Sequence, residues 1–251
     1  MNSIREIEKE FQDYPQGKHG ILYEKYKDDT RNGVKKLLDK YRRQDEKLRL
    51  EYQRLEGMKT FEKKYAQYHA ICGIDEVGRG PLAGPVVAGA VILPPDVDIL
   101  YLDDSKKLSE KKREELYGQI MEQAVAVGLG MVGPERIDEI NILQATYEAM
   151  RMAISRLKVQ PDLLLNDAVT IPEVAIPQVP IIKGDAKSIS IAAASIVAKV
   201  TRDRMMKEYE TVYPGYDFAG NKGYGSQRHI QALKELGPTK IHRHSFIGNF
   251  V

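Results

Sequence analysis

Ile71-Cys-Gly-Ile-Asp75-Glu76-Val-Gly78-Arg79-Gly80-Pro81-Leu-Ala-Gly84-Pro85-Val-Val-Ala-Gly-Ala-Val-Ile-Leu93 is the stretch from which the fold can be worked out. Two apolar runs, 71–75 and 84–93, flank a glycine-rich turn, and Pro94-Pro95 closes the second. Short apolar runs bounded by Gly and Pro read as strands. A third run, 124–132, alternates Val125, Val127 and Leu129, so three successive strands predict an antiparallel meander. Beyond it, Ile142, Ala145, Ala149, Ala153 and Leu157 recur at helical spacing and predict a helix over 138–158. A strand at 163–165, a second at 179–182 and a long helix over 188–210 complete the pattern. Strands first, then helix, strand and helix, give an α/β fold with a mixed sheet and helices packed on it.

Upstream of residue 70 the texture differs. Residues 1–70 hold 17 basic and 13 acidic side chains, no strand-like run, and an apolar stripe through Val34, Leu38, Tyr41, Leu48, Tyr52, Leu55 and Met58. They predict a small helical appendage, 1–69, joined to a main domain, 70–251. Charge is uneven along the chain: +4 over 1–70, −7 over 71–180 (10 basic, 17 acidic) and +5 over 181–251 (11 basic, 6 acidic). An acidic middle between basic flanks suits carboxylates that gather a divalent cation while Lys and Arg meet a polyanion. The basic run from Arg31 to Arg54 predicts that the appendage adds non-specific grip on nucleic acid.

Several function classes are excluded. The longest apolar stretches, 86–93 and 189–200, fall short of the roughly 20 residues of a membrane helix, and the charged start does not read as a signal peptide, so a cytoplasmic protein is expected. One cysteine, Cys72, rules out an internal disulfide and a Cys-based zinc cage, so any metal is held by oxygen or histidine. The five histidines show no ligand spacing beyond a weak His242-Arg-His244, and no glycine-rich phosphate loop precedes a lysine.

Carboxylates are the remaining chemistry. Asp75 falls near the end of the first strand, and Glu76 is expected to enter the following turn and bend back towards the same ion. Asp167 follows the strand at 163–165, and Asp185 follows Ile181-Ile-Lys-Gly184. Strand ends in an open sheet are where sites collect, so four acids from three strands are expected to converge. Glycines 78, 80 and 84 let backbone N–H groups approach a sugar or phosphate.

Four long motifs occur in order: Asp75-Glu-Val-Gly-Arg-Gly-Pro-Leu-Ala-Gly-Pro; Asp104-Ser-Lys-Lys-Leu-Ser109; the run from Lys183-Gly-Asp-Ala-Lys-Ser to Lys199-Val-Thr-Arg-Asp203; and Tyr213-Pro-Gly-Tyr with Lys222-Gly-Tyr-Gly-Ser226. Over about 70–230 the chain resembles bacterial ribonuclease HII, of the type 2 ribonuclease H family. The resemblance implies a ribonuclease H-like mixed five-stranded sheet with flanking helices. It implies an endonuclease that uses Mn²⁺ or Mg²⁺ at a two-metal site. Such an enzyme cuts the RNA strand of RNA–DNA hybrids and the 5′ side of ribonucleotides embedded in duplex DNA, with a place in ribonucleotide excision repair and DNA replication. By motif, the metal-holding catalytic acids are Asp75, Glu76, Asp167 and Asp185. Gly78, Arg79 and Gly80 would sense the ribose 2′-hydroxyl, Tyr224 would pack on the neighbouring sugar, and Lys106 and Lys107 would contact phosphates. A monomer is expected. Asn221, where the family commonly has His, and Ser226, where it commonly has Thr, depart from the pattern without touching the acids. Two rivals remain at this stage: a ribonuclease H specific for long hybrids, against which the Gly-Arg-Gly turn and Tyr224 argue, and a non-catalytic nucleic-acid module, against which the four acids argue.

Overall fold

Strand pairing starts where the sequence turns apolar. In the computed structural model, which describes residues 2–251, β1 (Ile71–Val77) pairs antiparallel with β2 (Val86–Ile92), and β2 with β3 (Ala126–Val132). β4 (Leu163–Asp167) lies parallel to β1 on its other side, and β5 (Gln178–Ile181) parallel to β4. The order is β3-β2-β1-β4-β5, the expected mixed sheet of five strands. β2 is buried along its whole length, which is why it reads as Val/Ala/Ile without alternation.

One local expectation fails. The ladder does not stop at Asp75: Glu76 pairs with Ala88 and Val77 with Val87, so Glu76 lies within β1 and the turn begins only at Gly78, whose φ is +88°. Continued pairing with β2 overrides the turn signal of the glycines.

The sheet is covered on both faces. Cys72 and Ile74 point to one side and join a core with Ala145, Ala149, Met150 and Ala153 of α6 (Pro134–Ser155). Asn141 interrupts α6 with φ +66° while its side chain accepts from the amides of Leu143 and Gln144, so it caps a second helical segment. Gly73 and Asp75 point to the other side, towards α7 (Ile189–Val212). The run of alanines at 192–194 lets α7 sit close, and a Cβ built on Gly73 would lie 2.0 Å from the carbonyl carbon of Ser190. α5 (Glu110–Gln123), capped by Ser109, was not anticipated; only its Leu116 and Ile120 are fully buried.

The chain divides into two compact units that meet between Gly57 and Met58, earlier than the change of texture at residue 70. The reason is α4 (Thr60–Lys64). Phe61, Tyr65 and Tyr68 pack with Leu163, Leu165, Ile181 and Ile191, and Glu62 Oε1 accepts from Ser188 Oγ (2.6 Å) and from the Ser190 amide (3.1 Å), satisfying the start of α7.

The first unit contains α1 (Ile4–Asp13), α2 (Gly20–Tyr26) and most of α3 (Asn32–Met58). Ser3 and Glu6 form a capping box at α1. Phe11 stacks on Tyr41 at 4.6 Å, beside Ile7, Leu22, Val34 and Leu38. Of the predicted stripe, Tyr52 is 43% exposed, because α1, at ten residues, covers only part of the 27-residue α3. Among the basic residues of α3, Lys40, Arg49 and Arg54 form ion pairs with Glu8, Glu46 and Glu51.

The close seating of α7 makes a contrast that unfolding can measure. Gly73→Ala is expected to cost about 2–3 kcal/mol, since backbone atoms must move to admit the methyl. Gly118→Ala, in α5 with no atom near the added carbon, is expected to gain about 0.5–1 kcal/mol. Equal denaturation midpoints for the two variants would contradict this packing.

Candidate active site

Asp75 lies on the α7 face of β1 and is only 6% exposed. The Ser195 hydroxyl, on α7, donates to it, and Ser195 Oγ also lies 2.9 Å from Ser105 Oγ in the loop before α5. Burial first, and then the Glu76 and Asp167 carboxylates, push the Asp75 carboxyl well above the usual carboxylate range. Glu76 is raised chiefly by burial, with Arg79 opposing; its Oε1 is 3.3 Å from Arg79 Nη1, while its buried Oε2 has no hydrogen-bond partner.

Asp167 ends β4, where its Oδ1 accepts from the Gly184 amide at 2.7 Å. That bond draws in the 3-10 turn Gly184–Ala186, which carries Asp185 and is entered through Lys183 at φ +57°. Burial and then Asp104 and Asp167 raise the Asp185 carboxyl. Four predicted acids are therefore brought into one electrostatically linked cluster, and Asp104 joins it as a fifth. Lys106 acts on both Glu76 and Asp185, whereas Lys107 is exposed and pairs with Asp103 at 3.3 Å.

Beside the acids, Gly78 is buried and Arg79 and Gly80 are exposed. The Tyr224 ring, 43% exposed, comes within 3.8 Å of where a Cβ on Gly80 would stand. The Gly223 carbonyl accepts from the Leu82 amide at 2.8 Å, which ties the two loops together. His229 and His242 form a buried pair at 3.0 Å, with His229 Nδ1 bonded to the Tyr224 carbonyl. Burial pushes His229 down and, together with His229, pushes His242 down to about 4, so both are neutral core groups near pH 7.

Among the described residues no group of three or more His, Cys, Asp or Glu side chains is placed to hold a metal ion as it stands. The donor chemistry nevertheless fits a hard divalent cation: oxygen ligands only, crowded, buried at Asp75 and half-buried elsewhere, and with one orphaned carboxylate oxygen in Glu76. Sequence reasoning missed Asp104, although it stood inside a recognised motif, and gave Ser195 no role. Their roles depend on proximity across the sheet, which no local pattern carries.

A buried cluster of like charges has a measurable consequence. The folded-state pKa of Asp75 lies above its unfolded value, so its penalty is absent at low pH and grows as pH rises through the folded value. Without divalent cation at neutral pH, Asp75→Asn is therefore expected to raise the melting midpoint, by about 3 °C for each kcal/mol relieved. The difference should close on acidification, and added Mn²⁺ should raise the midpoint of the unsubstituted protein more than that of the variant. Identical midpoints in metal-free neutral buffer would contradict the account.

Comparison with known proteins identifies the family. The family model described as Ribonuclease HII matches residues 72–249, and that described as Ribonuclease HII N-terminal domain matches residues 3–66. Ribonuclease HII of Lachnoclostridium phytofermentans is 66% identical over 98% of this chain and 97% of its own length. Ribonuclease HII of Clostridioides difficile is 50% identical over 99% and 98%. Among solved structures, RNase HII in the PCNA:RNase HII complex from Archaeoglobus fulgidus superposes with a TM-score of 0.61 at 29% identity, covering 72% of this chain and 96% of that one. Two family models that together span nearly the whole chain, and relatives matched over nearly its whole length, make this chain a member of the ribonuclease HII family, a metal-dependent endonuclease that hydrolyses RNA in RNA–DNA hybrids.

Proposed function

We propose that the enzyme also cuts on the 5′ side of single ribonucleotides embedded in duplex DNA, leaving 5′-phosphate and 3′-hydroxyl ends, with Asp75, Glu76, Asp167 and Asp185 as the metal-holding catalytic acids. The observation that carries the reading is the convergence of these four carboxylates, with the unsatisfied Glu76 Oε2, beside the Gly78–Gly80 turn and Tyr224. Two Mg²⁺ or Mn²⁺ ions held there would supply activation of the attacking water and charge stabilisation at the departing O3′ oxygen.

The chain's own groups do the rest. The Ser195 hydroxyl holds one Asp75 oxygen, and the Gly184 amide holds Asp167, so both acids are oriented from behind. Arg79 and Lys106 oppose the upward shift of the Glu76 carboxyl, and Lys106 opposes that of Asp185. The Gly78-Arg79-Gly80 turn reads the 2′-hydroxyl with backbone groups, and the Tyr224 ring packs on the adjoining sugar. Lys106, and further out Lys107, meet backbone phosphates as point charges. All these groups come from one chain, which supports action as a monomer. No helix of the described residues is long and apolar enough to cross a membrane, and a DNA substrate supports action in the cytoplasm.

The test is cleavage of a DNA duplex carrying one ribonucleotide. Asp75→Asn and Asp167→Asn are expected to lower the rate by roughly three orders of magnitude or more while the fold is retained. Tyr224→Ala should reduce cleavage at the single ribonucleotide far more than duplex binding, most of which comes from phosphates. Wild-type turnover by either Asn variant would overturn the assignment of the acids; a parallel loss of binding and cleavage in Tyr224→Ala would make the tyrosine a general anchor.

A further inference from the structure

Two arginines in the main unit are wholly buried, and neither donates to a carboxylate among the described residues: Arg202 and Arg243. Burying an unpaired guanidinium is costly, so its partners indicate what it is for. They are all backbone carbonyls. Arg202 donates to Pro85 (2.8 Å), Ala83 (3.0 Å) and Lys222 (2.8 Å). Arg243 donates to Gly78 (2.6 Å), Arg79 (2.9 Å) and twice to Gly84 (3.0 and 2.8 Å).

The second set has a geometric consequence. In a trans peptide the carbonyl of one residue and the N–H of the next point in opposite directions. With the Gly78 and Arg79 carbonyls both turned to the Arg243 guanidinium, the N–H groups of Arg79 and Gly80 both point away from it. Successive amides aimed in one direction make a cradle for an oxygen or an anion, and Gly78, at φ +88°, leads the chain into it. The segment carrying Arg243 is itself fixed to the turn: Gly84 N donates to Ile241 O (2.8 Å), Arg243 N to Leu82 O (2.9 Å), and Ala83 bridges to His242.

We infer that Arg243 is a positioning residue for ribose recognition, holding the peptide planes of the Gly78–Gly80 turn so that the Arg79 and Gly80 amides converge on the 2′-oxygen. This rests on the proposed reading of that turn. Lysine cannot substitute, because a point ammonium cannot engage three carbonyls in a planar fork.

The experiment compares Arg243→Lys, Arg243→Gln and Gly80→Ala with the unsubstituted enzyme, each well below its melting midpoint. Three quantities are read: kcat/KM on a single-ribonucleotide duplex, the same with a 2′-fluoro nucleotide in its place, and affinity for the all-DNA duplex. Arg243→Lys is expected to lose at least about tenfold on the ribonucleotide duplex and to narrow the ribo-to-fluoro ratio, since a hydrogen-bonding site is losing its alignment. DNA affinity should stay within about twofold, as the phosphate contacts are intact. Arg243→Gln, whose side chain ends near the position of Arg243 Nε and keeps at most the Gly84 contact, should narrow the ratio as well.

An unchanged ribo-to-fluoro ratio in Arg243→Lys, or equal losses in cleavage and DNA affinity, would overturn the inference, as would failure of both Arg243 variants to fold. Gly80→Ala separates the premise, because its methyl obstructs the exposed edge of the turn without touching Arg243. If Gly80→Ala keeps full selectivity, the reading of the turn falls. If Gly80→Ala loses selectivity and Arg243→Lys keeps it, the reading stands and the role of Arg243 falls.

Discussion

The approach of α7 to the sheet sets the terms for everything around the acids. A helix backbone can lie against β1 and β2 only where side chains are absent, and Gly73 and Gly89 provide that: a Cβ on Gly89 would lie 2.5 Å from the Ala194 carbonyl oxygen. At that distance Ser195 reaches Asp75, and one to two turns further on Arg202 reaches the carbonyls beyond the Gly-rich turn. The beginning of the same helix follows the turn that carries Asp185, and Glu62 anchors it. Strand, helix and turn are thus held as one body by a contact that contains almost no side-chain volume.

That body works against its own stability. Three raised carboxyls, Asp75, Glu76 and Asp185, together with an unpartnered buried oxygen, are tolerated because the surrounding core is fully packed: Ile74, Val86, Ala88 and Ile92 on one side, and Ile191, Ala194 and Ile196 on the other. With these acids as the proposed cation ligands, binding would relieve the repulsion between them, since ligands that are already gathered and desolvated need little reorganisation.

Much of this was legible in the residues and some was not. The strands and the meander followed from short apolar runs punctuated by Gly and Pro, because those residues act locally. Glu76 was placed in a turn because the glycines at 78 and 80 are local signals, whereas pairing of Val77 with Val87 is a cross-strand event. α5 lacked a clear stripe, with two fully buried residues in fourteen. The acids stood out through their repeated position at strand ends. Asp104, Ser195 and the two buried arginines did not: Asp104 and the arginines sit in polar or charged runs that read as solvated, Ser195 sits in an apolar run that reads as packing, and only tertiary closure brings them to the site. His242-Arg-His244 attracted attention for its histidines, while the residue between them makes the informative contacts.

Cys72 has a practical consequence. It is the only sulfhydryl in the chain, entirely buried between the sheet and α6, with burial pushing its thiol up. Alkylating dyes and spin labels react through the exposed thiolate, so the native molecule is silent towards them. A cysteine introduced on the surface, for instance at exposed Lys187 beside the turn that holds Asp185, becomes a unique attachment point without prior removal of the natural one. Motions of that turn on loading with cation or duplex can then be followed by fluorescence or electron paramagnetic resonance in an otherwise unaltered background.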